Sequence, residues 1–213
     1  MAGSLKVASL HPLLSEMAAA VGGDEVEVVD LFPANMELHE FAPSTREISQ
    51  ATGAAMVLAC GKGTEPYLAD LRDSLPASRI VELGAEVPDA VVPGTDYRDP
   101  HWWNLPENMK RASRALAREF AAADPAHAAQ YQAAQRTYAK QMDKLMREAR
   151  LSMGKIAREK RCLVTAHAAM THFCQAFGFS QVALNGIAKE SEGDVASLAA
   201  MLKELRAAHV ACL

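Results

Sequence analysis

The chain has 213 residues, half of them apolar, and a formal net charge of −4. This length allows one large domain or two small ones, each with a hydrophobic core. The nearly balanced charge gives no case for binding nucleic acid or an anionic membrane surface, and no apolar run is long enough to predict a membrane span. None of the four cysteines belongs to a Cys-x-x-Cys pair, so neither a zinc knuckle nor a thioredoxin-type centre is indicated.

The N-terminal part of the chain alternates apolar runs with segments of helical periodicity. Four runs read as strands, at residues 5–10, 26–31, 56–60 and 79–83. Helices are expected between them, at 12–22, at 44–53 and from 64 onward. Ser44 and Glu47 form a capping box, and Thr64 is the expected N-cap of the third helix, with Pro66 in its first turn. Strands that alternate with helices predict a parallel α/β sheet.

A histidine stands at the next junction. His101 follows Pro100 directly and precedes a helical segment that is expected to run to about residue 123. Asn104 is the expected N-cap of this helix, and Glu107 is its capping-box partner. The pattern therefore predicts an imidazole just outside a helix start, in a backbone that prolines restrict on both sides.

A longer helix is expected from residue 125 to residue 157, since Asp124 followed by Pro125 is typical of a helix start. Its apolar residues recur at spacings of three or four and form one stripe: Tyr131, Ala134, Tyr138, Met142, Leu145, Ala149, Met153 and Ile156. At a rise of 1.5 Å per residue the helix would be about 50 Å long. This exceeds what one small lobe needs, so we expect a helix that joins two lobes.

The alternation of strands and helices then resumes. The expected elements are a strand at 161–165, a helix at 167–177 that ends at Gly178, a strand at 179–184, a helix at 191–208 and a strand at 209–213. We therefore expect an N-terminal α/β lobe at 5–124, a linking helix at 125–158 and a partial C-terminal α/β lobe at 159–213. An unfinished second sheet would expose an edge strand, which could support a homo-oligomer.

Three histidines occupy comparable positions in this organisation. His39 and His167 each follow a predicted strand, and His101 precedes a predicted helix. Ligand sites in parallel α/β sheets form outside the carboxyl ends of the strands, and three imidazoles suit a borderline ion such as zinc. Their spacing along the chain matches no local metal signature. An exposed or structural role for each histidine is therefore the alternative.

Four stretches carry a resemblance to one known family: residues 8–13 (ASLHPL), 32–44 (FPANMELHEFAPS), 99–103 (DPHWW) and 163–170 (LVTAHAAM). In this order they resemble the solute-binding proteins of zinc and manganese ABC transporters, the cluster A-I group of zinc- and treponemal-type binding proteins. The resemblance implies two Rossmann-like lobes with mainly parallel sheets, joined by a long rigid helix. It also implies that His39 and His101 are metal ligands of the first lobe and His167 of the second.

The functional expectations follow from the same resemblance. It implies capture of a divalent metal ion, zinc foremost with manganese or iron as alternatives, and delivery to a membrane ABC permease. It further implies a protein that is not an enzyme and that works in the periplasm or another extracytoplasmic space. No signal-peptide pattern is visible at the start of the sequence, so export is an expectation from the family alone.

The sequence also departs from the family pattern. Ala168 stands where a carboxylate usually follows the third histidine, and Asn104-Leu105-Pro106 replaces the usual Leu-Asp-Pro. The fourth ligand, usually a carboxylate of the second lobe, is expected beyond Leu213. A histidine at 167 makes the site softer, which favours zinc over manganese.

Two other functions remain open from the sequence. A metallohydrolase would use the same three histidines, with water as the fourth ligand and Glu37 or Glu40 as the general base. An α/β interaction module without a metal would leave the histidines incidental. The remaining histidines, His11, His127, His172 and His209, are expected to be structural or exposed.

Overall fold

The computed structural model describes residues 4–34 and 36–183. They fall into two compact units. The first contains the described residues up to Pro88 together with Glu107–Asp143, and the second contains Asp89–Pro106 and the described residues from Lys144 onward. The predicted lobe boundaries stay predictions, and the helix and strand expected at 191–208 and 209–213 lie outside the described residues.

The first unit is built on a four-stranded parallel sheet with the strand order β2-β1-β3-β4. The strands are β1 (Leu5–Ser9), β2 (Val26–Asp30), β3 (Met56–Ala59) and β4 (Arg79–Glu82). Leu5 lies opposite Val26, and Met56 lies opposite both Val7 and Arg79. β3 is wholly buried and wholly apolar, as expected of a central strand covered on both faces. The predicted parallel α/β organisation is confirmed.

Three helices of the first unit follow these strands: α1 (Pro12–Gly22), α2 (Thr45–Ala51) and α3 (Leu68–Ser74). The predicted capping box of Ser44 and Glu47 is present at α2. Thr64, however, is not an N-cap, because α3 begins only at Leu68. The Thr64 hydroxyl instead donates to the carbonyl of Gly61 at 2.8 Å, in a turn whose residues 61–63 have φ angles of 74°, 57° and 83°.

The core of the first unit lies against its sheet. Its members include Ala8 in β1, Leu10 after β1, Leu31 after β2, and Val57 in β3. Further buried side chains of this cluster come from the helical segments and loops: Phe41, Ala51, Ala54, Leu68, Leu71 and Leu75. Burial of these side chains on folding stabilises the first unit by about 25 cal/mol per Å² of apolar surface removed from water.

Two long helices follow, α4 (Pro106–Ala123) and α5 (Ala128–Gly154), with a 3₁₀ turn between them. The prediction that Asn104 caps α4 is wrong: it ends a separate 3₁₀ turn, and Leu105 is extended before the helix begins. α5 has 27 residues and is about 40 Å long, shorter than predicted. The division between the units falls within it, after Asp143. Leu145 of the predicted stripe is 47% exposed, and Met146 is buried instead.

The second unit contains a parallel pair of strands, β5 (Cys162–Thr165) and β6 (Ser180–Ala183), joined by α6 (Thr171–Phe177). The predicted helix start at His167 is wrong, since α6 begins four residues later in the chain. Its predicted end is right: Gly178 adopts the left-handed conformation, with φ of 69°. Phe177 packs in an apolar cluster with Leu105 and Met146. No helix among the described residues is both long and apolar enough to cross a bilayer.

Candidate metal centre

The second unit brings two of the three predicted ligands together. His101 follows Pro100 at the start of a 3₁₀ turn, and His167 lies in the loop between β5 and α6. The Nε2 atoms of the two rings are 3.3 Å apart. His101 is buried, and its ring meets the edge of the Trp103 ring at a centroid distance of 5.3 Å.

This separation has the value expected of two ligands on one metal ion. Zinc–imidazole bonds of about 2.0–2.1 Å at a tetrahedral angle place two ligand nitrogens about 3.3–3.4 Å apart. The observed 3.3 Å between the Nε2 atoms of His101 and His167 lies in this range. The two rings are tilted by 55°, so their Nε2 atoms approach without the planes being stacked.

A buried carboxylate holds His101 in this orientation. Asp99 is 1% exposed, and its Oδ1 lies 2.7 Å from Nδ1 of His101 and accepts the backbone N–H of the same residue at 2.9 Å. With Nδ1 of the imidazole facing a carboxylate, the proton is assigned to Nδ1 and the ligand lone pair to Nε2. This is the carboxylate–histidine arrangement that supports metal ligands in many zinc sites.

The electrostatics of the pair favour an ionised Asp99. Burial raises the pKa of the Asp99 carboxyl, but hydrogen bonds from the side chain and backbone of His101 and from the backbone of Thr171 lower it, and the net shift is downward. The Asp99 carboxylate therefore stays negative and makes the His101 imidazole a better donor to a cation. Sequence reasoning missed this residue, although a carboxylate two positions before a predicted ligand histidine was a usable signal.

The loop of His167 is held from both ends. The Thr165 hydroxyl donates to the carbonyl of His167 at 2.7 Å, and the backbone N–H of Ala169 donates to the same carbonyl at 2.8 Å. The side-chain amide of Asn104 donates to the carbonyl of Ala169 at 2.8 Å. Asn104 thus ties the 3₁₀ turn that follows His101 to the loop of His167, instead of capping α4.

His39 belongs to the first unit. It lies in the short 3₁₀ turn Leu38–Glu40, in the segment that follows β2, and its side chain is exposed. Phe41 anchors this segment, since its buried ring packs edge-on against Tyr67 at a centroid distance of 6.1 Å. Glu37 and Glu40, the candidate general bases of the metallohydrolase alternative, are both exposed.

Other side chains that could have served as ligands have structural contacts. His11 caps α1, its Nδ1 accepting the backbone N–H of Leu13 at 3.1 Å. His172 is buried, with Nε2 3.1 Å from the carbonyl of Asp99. Burial raises the pKa of the Cys60 thiol, with Glu65 adding to the effect, and raises that of Cys174 to about 11, so neither is a thiolate at neutral pH.

The fold and this site together define a class: α/β proteins that bring imidazole side chains together at loops beside parallel strands. The chain belongs to the ZnuA family, described as zinc-uptake complex component A, periplasmic, whose family model matches residues 7–213. The resemblance inferred from the sequence is confirmed. Members of this family are described as a component of an uptake complex, not as enzymes.

Similar proteins include metal-binding proteins and substrate-binding proteins of metal ABC transporters. The chain is 27% identical over 195 residues to the iron-binding protein YfeA of Yersinia pestis, covering 90% of this chain and 63% of that protein. It is 22% identical over 226 residues to the metal ABC transporter substrate-binding lipoprotein FimA of Streptococcus parasanguinis, covering 99% of this chain and 72% of that protein. The chain therefore spans between 63% and 72% of the length of these two relatives.

Solved structures share the fold. The zinc-bound AdcAII E280Q variant of Streptococcus pneumoniae matches with a TM-score of 0.86 at 21% identity, covering 97% of this chain and 79% of that chain. The periplasmic zinc-binding protein TroA of Treponema pallidum matches with a TM-score of 0.87 at 20% identity, covering 97% of this chain and 76% of that chain. The predicted two-lobe α/β fold class is thereby confirmed.

Proposed function

We propose that this chain captures a divalent transition metal ion, zinc foremost, and delivers it to a membrane ABC permease. One observation carries the proposal: the Nε2 atoms of His101 and His167 lie 3.3 Å apart, and the buried Asp99 carboxylate contacts Nδ1 of His101. A histidine pair so arranged has the ligand spacing and the outer hydrogen bond of a metal site. Membership of the zinc-uptake family supports the transport role.

His39 is proposed as the third ligand. Its support is its position in an exposed turn after β2, and the resemblance of its sequence context to the ligand loop of the family. Three imidazoles leave one tetrahedral position, which water or a carboxylate would fill. Ala168 supplies no ligand at the position where the family usually has a carboxylate.

The donor set supports zinc as the preferred ion. Imidazole is a borderline ligand that suits zinc, copper and iron, whereas manganese favours carboxylate and carbonyl oxygens. Among the similar proteins, TroA is described as zinc-binding and YfeA as iron-binding. We therefore propose zinc first, with iron and manganese as alternatives that the same experiment separates.

The proposal also includes a membrane permease as the partner and an extracytoplasmic location. FimA and the iron-binding MtsA of Streptococcus pyogenes are substrate-binding lipoproteins of ABC transporters, and the family is described as periplasmic. We infer the same role and an extracytoplasmic location for this chain. The matched family and relatives lend no support to the metallohydrolase alternative, and the predicted homo-oligomer stays a prediction.

Titration of the metal-free protein tests the site. Zinc, iron(II) and manganese(II) are titrated against a competing chromophoric chelator for the wild type and for His39→Ala, His101→Ala and His167→Ala, with His127→Ala as control. Each ligand variant should lose more than the ~10–100-fold that loss of an outer-shell partner costs, and the control should match the wild type. Equal affinity in all five proteins would overturn the proposed site.

Delivery needs a separate measurement. The candidate permease is reconstituted in lipid vesicles that enclose a zinc indicator, and the zinc-loaded chain is added to them. ATP is either enclosed in the vesicles or added outside them. We expect zinc transfer that requires the loaded chain and ATP. Transfer at the same rate from free zinc at matched concentration would contradict the delivery role while leaving metal capture intact.

A further inference from the structure

One glutamine of the second unit connects the surroundings of both ligand histidines. Gln181, on β6, donates from Nε2 to the Thr165 hydroxyl at 3.0 Å and accepts at Oε1 from the Thr171 hydroxyl at 3.4 Å. It lies opposite Leu163 of β5 in the parallel register. Its side chain therefore spans from the end of β5 to the start of α6, the two points between which the loop of His167 runs.

The contact with Thr165 has a defined polarity. The Thr165 hydroxyl has one hydrogen, which it donates to the carbonyl of His167 at 2.7 Å. It can therefore only accept from its other partner. The Gln181 amide nitrogen satisfies this requirement, whereas a carboxylate at the same place would compete with the His167 carbonyl for the hydroxyl hydrogen.

The contact with Thr171 leads to the other histidine. The backbone N–H of Thr171 donates to Oδ2 of Asp99 at 2.7 Å, and Oδ1 of the same carboxylate contacts Nδ1 of His101. A continuous polar path thus runs from the backbone of His167 through Gln181 to the ring of His101.

We propose that Gln181 is a positioning residue of the metal site, which holds the loops of His101 and His167 at the spacing that a metal ion requires. The proposal rests on the proposed metal-binding function. Without the amide, the hydroxyl of Thr165 loses its donor partner and the start of α6 loses its link to β6. The ion must then organise the pair itself, and we expect about tenfold weaker zinc binding, the lower end of the range for outer-shell partners.

The test replaces the amide without removing its bulk. Gln181→Met keeps an unbranched side chain of similar size but makes neither hydrogen bond. Gln175→Met is the matched control, since the Gln175 amide donates to the carbonyl of Val91. Zinc affinity is measured by chelator competition, and the ligand field by the visible spectrum of the cobalt(II)-loaded protein. We expect about tenfold weaker zinc binding and an altered cobalt spectrum for Gln181→Met alone.

A second substitution tests the path itself. Thr165→Val removes the hydroxyl with little change in shape, and it serves in place of Gln181→Met should that variant fail to fold. If Gln181 acts through Thr165, the double variant should bind zinc no more weakly than the weaker single variant, because the two changes break one path. Additive losses would overturn the mechanism, and wild-type affinity and spectrum in Gln181→Met would overturn the positioning role.

The result separates this inference from the proposed function. Tight zinc binding by the wild type together with unchanged binding by Gln181→Met removes only the role of Gln181. A wild type that binds no metal removes both. Circular dichroism thermal unfolding of each metal-free variant identifies any loss of affinity that comes from an unfolded fraction.

Discussion

Replacing Asp99 by asparagine changes one buried group on which several contacts of the ligand loops depend. Oδ1 of the carboxylate accepts from Nδ1 of His101, and Oδ2 accepts from the backbone N–H of Thr171; both distances are 2.7 Å. An asparagine has one oxygen and one NH₂ group, so one of these donors must face another donor. Asp99 is 1% exposed, so water cannot readily take the place of the lost acceptor.

The expected magnitudes follow from this geometry. A buried donor left without an acceptor costs about 1–3 kcal/mol of folding free energy. Loss of an outer-shell partner of a ligand histidine weakens metal binding ~10–100-fold, which is about 1.4–2.8 kcal/mol. We therefore expect Asp99→Asn to fold, to unfold at a lower urea concentration, and to bind zinc ~10–100-fold more weakly than the wild type.

Urea unfolding of the metal-free protein and zinc titration against a chromophoric chelator measure the two effects separately. Asp89→Asn is the matched control, because Asp89 pairs with Arg98 on the surface of the same unit and such pairs contribute little. The control should differ from the wild type by less than twofold in zinc affinity. Wild-type zinc affinity in Asp99→Asn would refute the claim that this carboxylate supports the His101 ligand.

Three further outcomes are expected. Hydrogen bonding to Asp124 raises the pKa of His127, although desolvation lowers it. The stabilising contribution of protonated His127 is therefore present below pH ~6.5 and is lost as the pH rises through the folded-state pKa. NMR titration of Asp124→Asn should show the pKa of His127 falling. Trp102→Ala, at a wholly buried side chain, should destabilise the fold by about 3–5 kcal/mol in urea unfolding. Gly178→Ala, at a φ of 69°, should lower the unfolding free energy by about 1 kcal/mol.

Much of the fold could be predicted because its signals are local. Ser44 and Glu47 lie three residues apart, and their capping box formed as expected. The apolar runs that became β1 and β3 are short and bounded by breakers, and they pair in parallel as predicted. Periodicity and capping chemistry require only neighbouring residues, so the sequence alone contains them.

The errors arose where a side-chain contact other than the predicted cap decided the local structure. Asn104 has the chemistry of an N-cap, but its amide is used by the carbonyl of Ala169, 65 residues away. Thr64 also resembles an N-cap, but its hydroxyl donates to the carbonyl of Gly61, and the buried Glu65 carboxylate accepts the backbone N–H groups of Cys60 and Gly61. Propensity cannot anticipate such contacts, because it describes the average preference of a residue and not its particular partners.

The histidines of the candidate site could be singled out from the sequence, but the side chains that contact them could not. His101 and His167 were identified from their sequence contexts, and the structure brings their Nε2 atoms to 3.3 Å. The roles of Asp99 and Gln181 depend on contacts to Thr171 in α6, which no spacing in the sequence reveals. The assignment of His39, His101 and His167 as metal ligands stays a prediction.

X-ray absorption spectroscopy of the zinc-loaded chain tests the histidine site most directly. We predict a first shell of nitrogen and oxygen at about 2.0–2.1 Å, with imidazole scattering that decreases in His101→Ala and again in the double variant with His167→Ala. A sulfur shell near ~2.3 Å, or imidazole scattering unchanged by both substitutions, would contradict the assignment of the metal to this pair.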